Sequence, residues 1–129
     1  MAKVRQFEDL EAWKIARVLA KAVYRISSNG EFAADFNLRN QIRRSAISAL
    51  SNIAEGFERD GNREFLHFLA MAKGSCGEVR SQLFAVPDLA YITDDEFPSL
   101  YKTAVQLSRL LSGLMNHLRQ SQLCGRKYK

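Results

Sequence analysis

The sequence lacks the features that mark most catalytic and metal-binding domains. Its two cysteines, Cys76 and Cys124, lie far apart and match no metal-binding or redox spacing. Its two histidines, His67 and His117, stand alone, so the Glu-x-x-His pair that builds a metal site in a helical bundle is missing. A glycine-rich phosphate loop and a nucleophile motif are missing too. These absences predict a protein that is not an enzyme and that has no metal or other cofactor.

Long apolar runs are also absent. No segment approaches the ~18 consecutive apolar residues that a membrane span needs, and no charged-then-apolar leader opens the chain. We therefore expect a cytoplasmic protein with reduced thiols and no membrane partner. The 129 residues are 47% hydrophobic, which is enough for one domain with its own core.

Helix breakers are few, because the chain has only two prolines and seven glycines, and Ala, Leu, Arg and Glu are abundant. The apolar periodicity predicts four helices, over about 7–26, 35–56, 62–90 and 93–123. Asp35 or Asn37 is the expected cap of the second helix, and Gly56 its left-handed terminator. Thr93 and Glu96 have the spacing of a capping box at the start of the fourth. The predicted fold class is therefore all-α.

The net charge of +5 is concentrated at the two ends of the chain. A basic N-terminal arm, residues 1–6, precedes the bundle domain, residues 7–123, and a basic C-terminal tail, residues 124–129, follows it. Five of the 19 basic residues lie in these ends: Lys3, Arg5, Arg126, Lys127 and Lys129. The 14 that remain balance the 14 acidic residues, so the bundle domain is neutral. The ends are either arms for a phosphate backbone or solubilising tails.

The first predicted helix confines its charge to a sector about 80° wide. The basic residues of this sector are Lys14, Arg17, Lys21 and Arg25. The rest of the circumference, which includes Trp13, Val18 and Leu19, is apolar or alanine. That arc is more than twice the ~100° stripe that a single core contact requires. A single chain is expected to leave part of this apolar arc exposed. Exposed apolar patches of this kind mark surfaces that bind other proteins.

The third predicted helix has a face of small residues, namely Ala70, Gly74, Gly77, Ser81 and Ala85. Each glycine inside a helix costs ~1 kcal/mol relative to alanine, and the close approach of another helix is the natural reason for two of them. Pro87 is expected to kink the end of this helix. We predict that the small face meets the surplus apolar face of the first helix at a subunit boundary. The predicted interface residues are Trp13, Val18, Leu19, Ala70, Gly74, Gly77 and Ser81.

The stretch "QIRRSAISALSNIAEG", residues 41–56, places Arg43 on the shoulder of the apolar half of the second helix. A guanidinium there requires a partner, because an unpaired buried charge is costly. One interpretation is a structural ion pair, within the chain or across an interface. The candidate partners are Glu8, Glu11, Glu64 and Glu78. The other interpretation is that Arg39, Arg43 and Arg44 hold a phosphate, a role that also suits arginine.

Four motifs, "FEDLEAWKIA", "FNLRNQIRRSAIS", "SNIAEGFER" and "FLHFLAMAKGS", closely resemble the four-helix bundle proteins encoded in intervening sequences of bacterial 23S rRNA genes. The resemblance covers residues 7–118. It implies an antiparallel up-and-down four-helix bundle that assembles into a barrel-shaped homopentamer. Related bundles, the accessory variability proteins of diversity-generating retroelements, are basic pentamers that bind nucleic acid and a reverse transcriptase.

Two functions are therefore open. The first is a non-enzymatic homo-oligomer that binds RNA or DNA. Its expected contacts are Lys14, Arg17, Lys21, Arg25, Arg39, Arg44, Arg126, Lys127 and Lys129. The alternative is a protein-interaction scaffold, without a nucleic-acid role, whose ring or groove holds another polypeptide.

Overall fold

The computed structural model describes the backbone of residues 4–128 and the side chains of residues 4–121, and this part of the chain consists of helices and their connections, without a strand. A short 3-10 helix, Phe7–Asp9, precedes the first α-helix. The five α-helices are α1 (Glu11–Ile26), α2 (Gly30–Ala34), α3 (Phe36–Glu58), α4 (Asn62–Asp88) and α5 (Phe97–Tyr128). The side chains of Arg126, Lys127 and Lys129, three of the expected nucleic-acid contacts, lie outside the described residues.

The four long helices pack together around one core. Helix α1 packs against α3 and α5, and α4 packs against the same two helices. Short connections join consecutive long helices, and this order of neighbours is that of an up-and-down bundle. The all-α prediction is confirmed.

Apolar residues at helical spacing fill the core, as the periodicity of the sequence predicts. In α4 the fully buried residues are Leu69, Ala72, Cys76, Val79, Leu83 and Val86. In α5 the buried residues are Leu100, Ala104, Leu107, Leu111, Met115 and Leu118. The opposite side of α5 carries the exposed residues Lys102, Gln106 and Arg109. Helix α5 therefore packs on one side and faces water on the other.

Two predicted helix boundaries are wrong. The first helix is interrupted at Leu10, whose extended backbone separates the 3-10 helix from α1. Gly56 does not end the second helix, because α3 continues to Glu58. Gly56 is buried instead, and a Cβ atom added there would lie 2.6 Å from the Cβ atom of Phe68. The glycine therefore permits close packing of α3 on α4, and the left-handed residue in this connection is Gly61, with φ of 91°.

The cap predicted at Asp35 is confirmed, since its Oδ1 accepts a hydrogen bond from the Leu38 N–H at 3.1 Å. The pair predicted at the start of the fourth helix forms in part. Glu96 Oε1 accepts from the Thr93 N–H at 3.1 Å, but α5 begins only at Phe97, so this bond closes the preceding turn. Helix α2 was not predicted, because five residues are too few to establish an apolar period.

Candidate nucleic-acid interface

The basic sector predicted on the first helix forms one exposed face of α1. Lys14, Arg17, Lys21 and Arg25 are all exposed, and we call these four residues the α1 basic face. Lys14 Nζ forms a solvent-exposed ion pair with Glu11 Oε1 at 3.3 Å. The Arg17 guanidinium lies over the Trp13 ring, 5.8 Å from its centroid. Among the described residues, Lys21 and Arg25 have neither a hydrogen-bond partner nor an ion-pair partner, so their charge is available to a ligand.

The prediction that the first helix has a surplus of exposed apolar surface is largely wrong. Leu19 is only 1% exposed and lies in the core, so it is not available to contact another subunit. Trp13 is half-buried and packs edge-on against Phe7, with ring centroids 5.2 Å apart. The arc is covered because α1 packs on both α3 and α5 while the 3-10 helix shields one end. Only Val18, which is 53% exposed, and Tyr24 remain as exposed large apolar side chains of α1.

Val18 borders the α1 basic face. With its neighbours it lines a shallow groove of about 340 Å³, formed by Trp13, Lys14, Arg17, Val18 and Lys21. A ligand on this groove would meet positive charge around a small apolar floor. That combination suits a strand that presents both phosphates and the apolar faces of its sugars or bases.

The ion pair predicted for Arg43 does not form within the described chain. Its Nε donates to Ser27 Oγ at 2.8 Å, and its NH2 group donates to Ser28 Oγ at 3.2 Å. Its guanidinium also lies over the Tyr24 ring, 4.4 Å from the centroid. Arg43 therefore ties α3 to the end of α1 through hydroxyls and an aromatic ring, which satisfy a partly buried guanidinium without a carboxylate.

The neighbouring arginines of α3 differ in how they are held. Arg39 NH1 donates to the Ala33 carbonyl oxygen at 2.8 Å, and its guanidinium lies over the Phe36 ring at 4.7 Å. Arg44 is exposed and has no ion-pair partner among the residues that the structure describes. Arg39 and Arg43 are thus held by different parts of the chain, and the joint grip of the three arginines on a single phosphate stays a prediction. Arg39, Arg43 and Arg44 place positive charge along nearly two turns of α3, and we call these three residues the basic path.

A groove of about 450 Å³ lies beyond this path, between α3 and α4. It is lined by Phe36, Asn37, Asn40, Gln41, Arg44, Ser45, Glu78 and Gln82, and we call it the α3–α4 groove. Gln41 Nε2 donates to Asn37 Oδ1 at 2.7 Å, which fixes both amides. Gln82 Oε1 is buried and accepts no hydrogen bond from any described residue. No periodic pattern in the sequence indicates this groove, because its residues come from two helices that meet only in the fold.

The small face of the third predicted helix is on the surface of α4. Ala70, Gly74, Gly77 and Ser81 are exposed. A Cβ atom added at Gly74 or Gly77 would meet nothing within 4 Å, so none of the described residues packs closely on this face at the two glycines. The interface assigned to these residues stays a prediction.

Other groups offer little chemistry. His67 and His117 are exposed, and the described residues contain no cluster of three or more His, Cys, Asp and Glu placed to hold a metal ion. Cys76 is buried, its Sγ donates to the Ala104 carbonyl oxygen at 3.2 Å, and burial raises the pKa of its thiol to about 11. None of the described helices combines the length and apolarity that crossing a bilayer requires.

Comparison with known proteins agrees with this architecture. A family model described as 23S rRNA-intervening sequence protein matches residues 8–113. A crystal structure of a protein of unknown function from the S23 ribosomal protein family, from Bacteroides thetaiotaomicron, is similar with a TM-score of 0.74. The two chains are 21% identical, and the similarity covers 81% of this chain and 97% of the other, which shows a shared fold. No curated protein matches.

Proposed function

The chain belongs to the 23S rRNA-intervening sequence protein family, and from this premise we propose that it is a non-enzymatic, self-associating bundle protein that binds RNA or DNA. The observation that carries the proposal is the α1 basic face. Lys21 and Arg25 have no partner among the described residues, and phosphate contacts need accessible positive charge of this kind.

The dimensions of the α1 basic face support this proposal. From Lys14 to Arg25 the helix rises about 16 Å, at ~1.5 Å per residue. This length exceeds the ~3.4 Å axial rise between successive phosphates of one strand, so more than one of the four basic side chains can contact phosphate. Arg39 and Arg44 add positive charge on α3.

We further propose that copies of the chain associate through the small face of α4, in the pentameric barrel that the family resemblance implies. Gly74 and Gly77 support this because each lowers helix stability by ~1 kcal/mol and neither is required by a close contact with any described residue. A ring would repeat the α1 basic face around its axis, and the fields of the copies would add. The ring would therefore present several basic faces, although each bundle domain is neutral.

The test is the salt dependence of binding to a labelled single-stranded oligonucleotide, followed by fluorescence anisotropy. For single strands the logarithm of the affinity should fall with a slope of about −0.7 per phosphate contact against the logarithm of salt concentration. The substitution Lys21→Glu should weaken binding and reduce that slope by about one contact. Lys102→Glu, an equal charge reversal on the exposed side of α5, is the matched control. Equal effects of the two variants, or affinity independent of salt, would contradict the proposal.

A protein-interaction scaffold is the second candidate, and an exposed aromatic cluster favours it. Phe84 is 48% exposed, and its ring centroid lies 5.2 Å from that of Phe97 and 4.9 Å from that of Tyr101. Exposed aromatic side chains are enriched at protein interfaces. Retention of one specific protein partner after nuclease treatment and in high salt, with loss of retention in Phe84→Ala, would favour this function over the first.

A further inference from the structure

We propose that the α3–α4 groove receives one unpaired nucleobase of a single-stranded nucleic acid, with the Phe36 ring as its stacking surface. The inference deepens the proposed function and rests on it for the strand that delivers the base. The chemistry of the groove itself is independent of that strand. Three features of the groove carry the inference: an exposed aromatic ring, a set of amides with an unused acceptor, and a basic path that leads to it.

The aromatic ring is Phe36, which is 63% exposed at the first position of α3. The Arg39 guanidinium covers one face of this ring at 4.7 Å, and the Ala33 carbonyl oxygen holds that guanidinium in place. Because so much of the ring is still exposed, its other face is open. A ring fixed in this way offers a flat apolar surface, and unpaired bases stack on such surfaces in proteins that bind single strands.

The amides of the groove match the edge of a base. The bond from Gln41 Nε2 to Asn37 Oδ1 leaves the Asn37 amino group and Gln41 Oε1 for a ligand. Asparagine and glutamine side chains read base edges through such a donor and acceptor. Gln82 lines the α4 side of the groove. The exocyclic amino group of a base can donate to Gln41 Oε1, and a ring nitrogen can accept from the Asn37 amino group.

A basic path connects the α1 basic face with the groove. The Arg43 guanidinium contacts Ser27, Ser28 and the Tyr24 ring, so it lies at the end of α1 that also carries Arg25. Arg39 lies one turn before Arg43 on α3, and Arg44 lines the groove. A strand that runs along α1 can therefore keep its phosphates near arginine until it reaches Phe36.

The size of the groove favours one base over a duplex. About 450 Å³ lies within the range of sites that hold a small molecule. In a duplex the faces and the Watson–Crick edges of the bases are already occupied, and exposing one base requires unstacking. The expected ligand is therefore single-stranded.

The groove is tested first without a strand, by the NMR signals of its side-chain amides. Adenosine monophosphate should shift the Asn37, Gln41 and Gln82 amide signals of the full-length protein. Ribose 5-phosphate, which has the same phosphate but no base, should not shift them. The substitution Phe36→Ala should abolish the response to adenosine monophosphate. Equal shifts with the two ligands, or no shift with either, would overturn the assignment of a base-binding groove.

The strand is tested next, by anisotropy with a labelled single-stranded oligonucleotide. Phe36→Ala should weaken binding about tenfold, within the range that loss of one stacked base produces. The salt slope should stay unchanged, because no phosphate contact is lost. Phe36→Leu, which keeps apolar bulk without a ring, should be as weak as Phe36→Ala. Full affinity in both variants would contradict the inference.

The two tests separate the inference from the proposed function. If adenosine monophosphate shifts the amides but no oligonucleotide binds, the proposed function fails and the groove stands. If the oligonucleotide binds with a steep salt slope but the amides do not respond, the proposed function stands and the groove is refuted.

Discussion

At the scale of single residues, the glycines of this chain have opposite structural roles. Gly56 is buried where α3 meets α4, and its hydrogen takes the place of a Cβ atom that would lie 2.6 Å from Phe68 Cβ. Gly74 is exposed on α4 and has open space around it. One glycine is required by packing within the chain, whereas the other lowers helix stability without any such benefit.

This contrast predicts opposite effects of alanine. Gly56→Ala should lower the free energy of unfolding by ~1–3 kcal/mol, because the added methyl group overpacks the contact with Phe68. Gly74→Ala should raise the stability of the single chain by up to ~1 kcal/mol through helix propensity alone. Urea unfolding, at a protein concentration low enough to keep the chain monomeric, measures both. Equal destabilisation by the two substitutions would contradict the assignment.

At the scale of helices, a polar contact fixes one end of the bundle. The Tyr91 hydroxyl donates to Asp35 Oδ2 at 2.8 Å, and the Tyr91 ring stacks on Phe32 at 5.1 Å. The contact joins the connection between α4 and α5 to the start of α3. The Leu38 N–H and the Tyr91 hydroxyl lower the pKa of Asp35, and the bond to Asp35 raises the pKa of Tyr91.

These shifts predict a stability that falls at both extremes of pH. Because the pKa of Asp35 is lowered in the folded protein, Asp35 contributes to the free energy of unfolding above its ordinary pKa of about 4. This contribution is lost as pH falls through the pKa of the folded state. Because the pKa of Tyr91 is raised in the folded protein, Tyr91 contributes to the free energy of unfolding below its ordinary pKa of about 10. This contribution is lost as pH rises through the pKa of the folded state. Tyr91→Phe keeps the ring and removes the hydroxyl. Melting temperatures measured from pH 2 to 11 should show a smaller fall at both extremes in this variant, and unchanged curves would contradict the account.

The limits of sequence-based prediction also lie at the scale of helices. Helices α4 and α5 could be predicted within a few residues, because their apolar periods are long and regular. The environment of α1 could not, since a helical wheel shows which residues are apolar but not how many neighbours cover them. Leu19 was assigned to the surface for that reason, and α3 with α5 buries it. Gly56 was wrongly predicted to end the second helix, because a glycine that ends a helix and one that permits close packing have the same sequence pattern.

Only part of the candidate site could be predicted from the sequence. The α1 basic face could be predicted because Lys14, Arg17, Lys21 and Arg25 recur at the spacing of a single helix. The α3–α4 groove could not, since Gln82 is 38 residues from Arg44 in the numbering of the chain and joins it only when the helices pack. The partners of Arg43 were missed because serine hydroxyls at a helix end leave no charge pattern in the sequence.

At the scale of the whole molecule, the basic and small faces lie on different helices of the bundle. The α1 basic face is on the helix that packs between α3 and α5, and the small face is on α4, which packs between the same two helices. The two faces are therefore on opposite sides of the bundle, so a second copy bound to the small face of α4 would not cover the α1 basic face of the same chain. This separation allows each proposed activity to be removed without the other.

Sedimentation velocity of the protein mixed with a labelled single-stranded oligonucleotide tests the central claim most directly. We expect the oligonucleotide to sediment with a multi-subunit species at low salt and to be released at high salt. Gly74→Leu should dissociate the assembly while the chain stays helical, and Lys21→Glu should release the oligonucleotide while the assembly persists. A single chain that sediments apart from the oligonucleotide at every salt concentration would contradict the account.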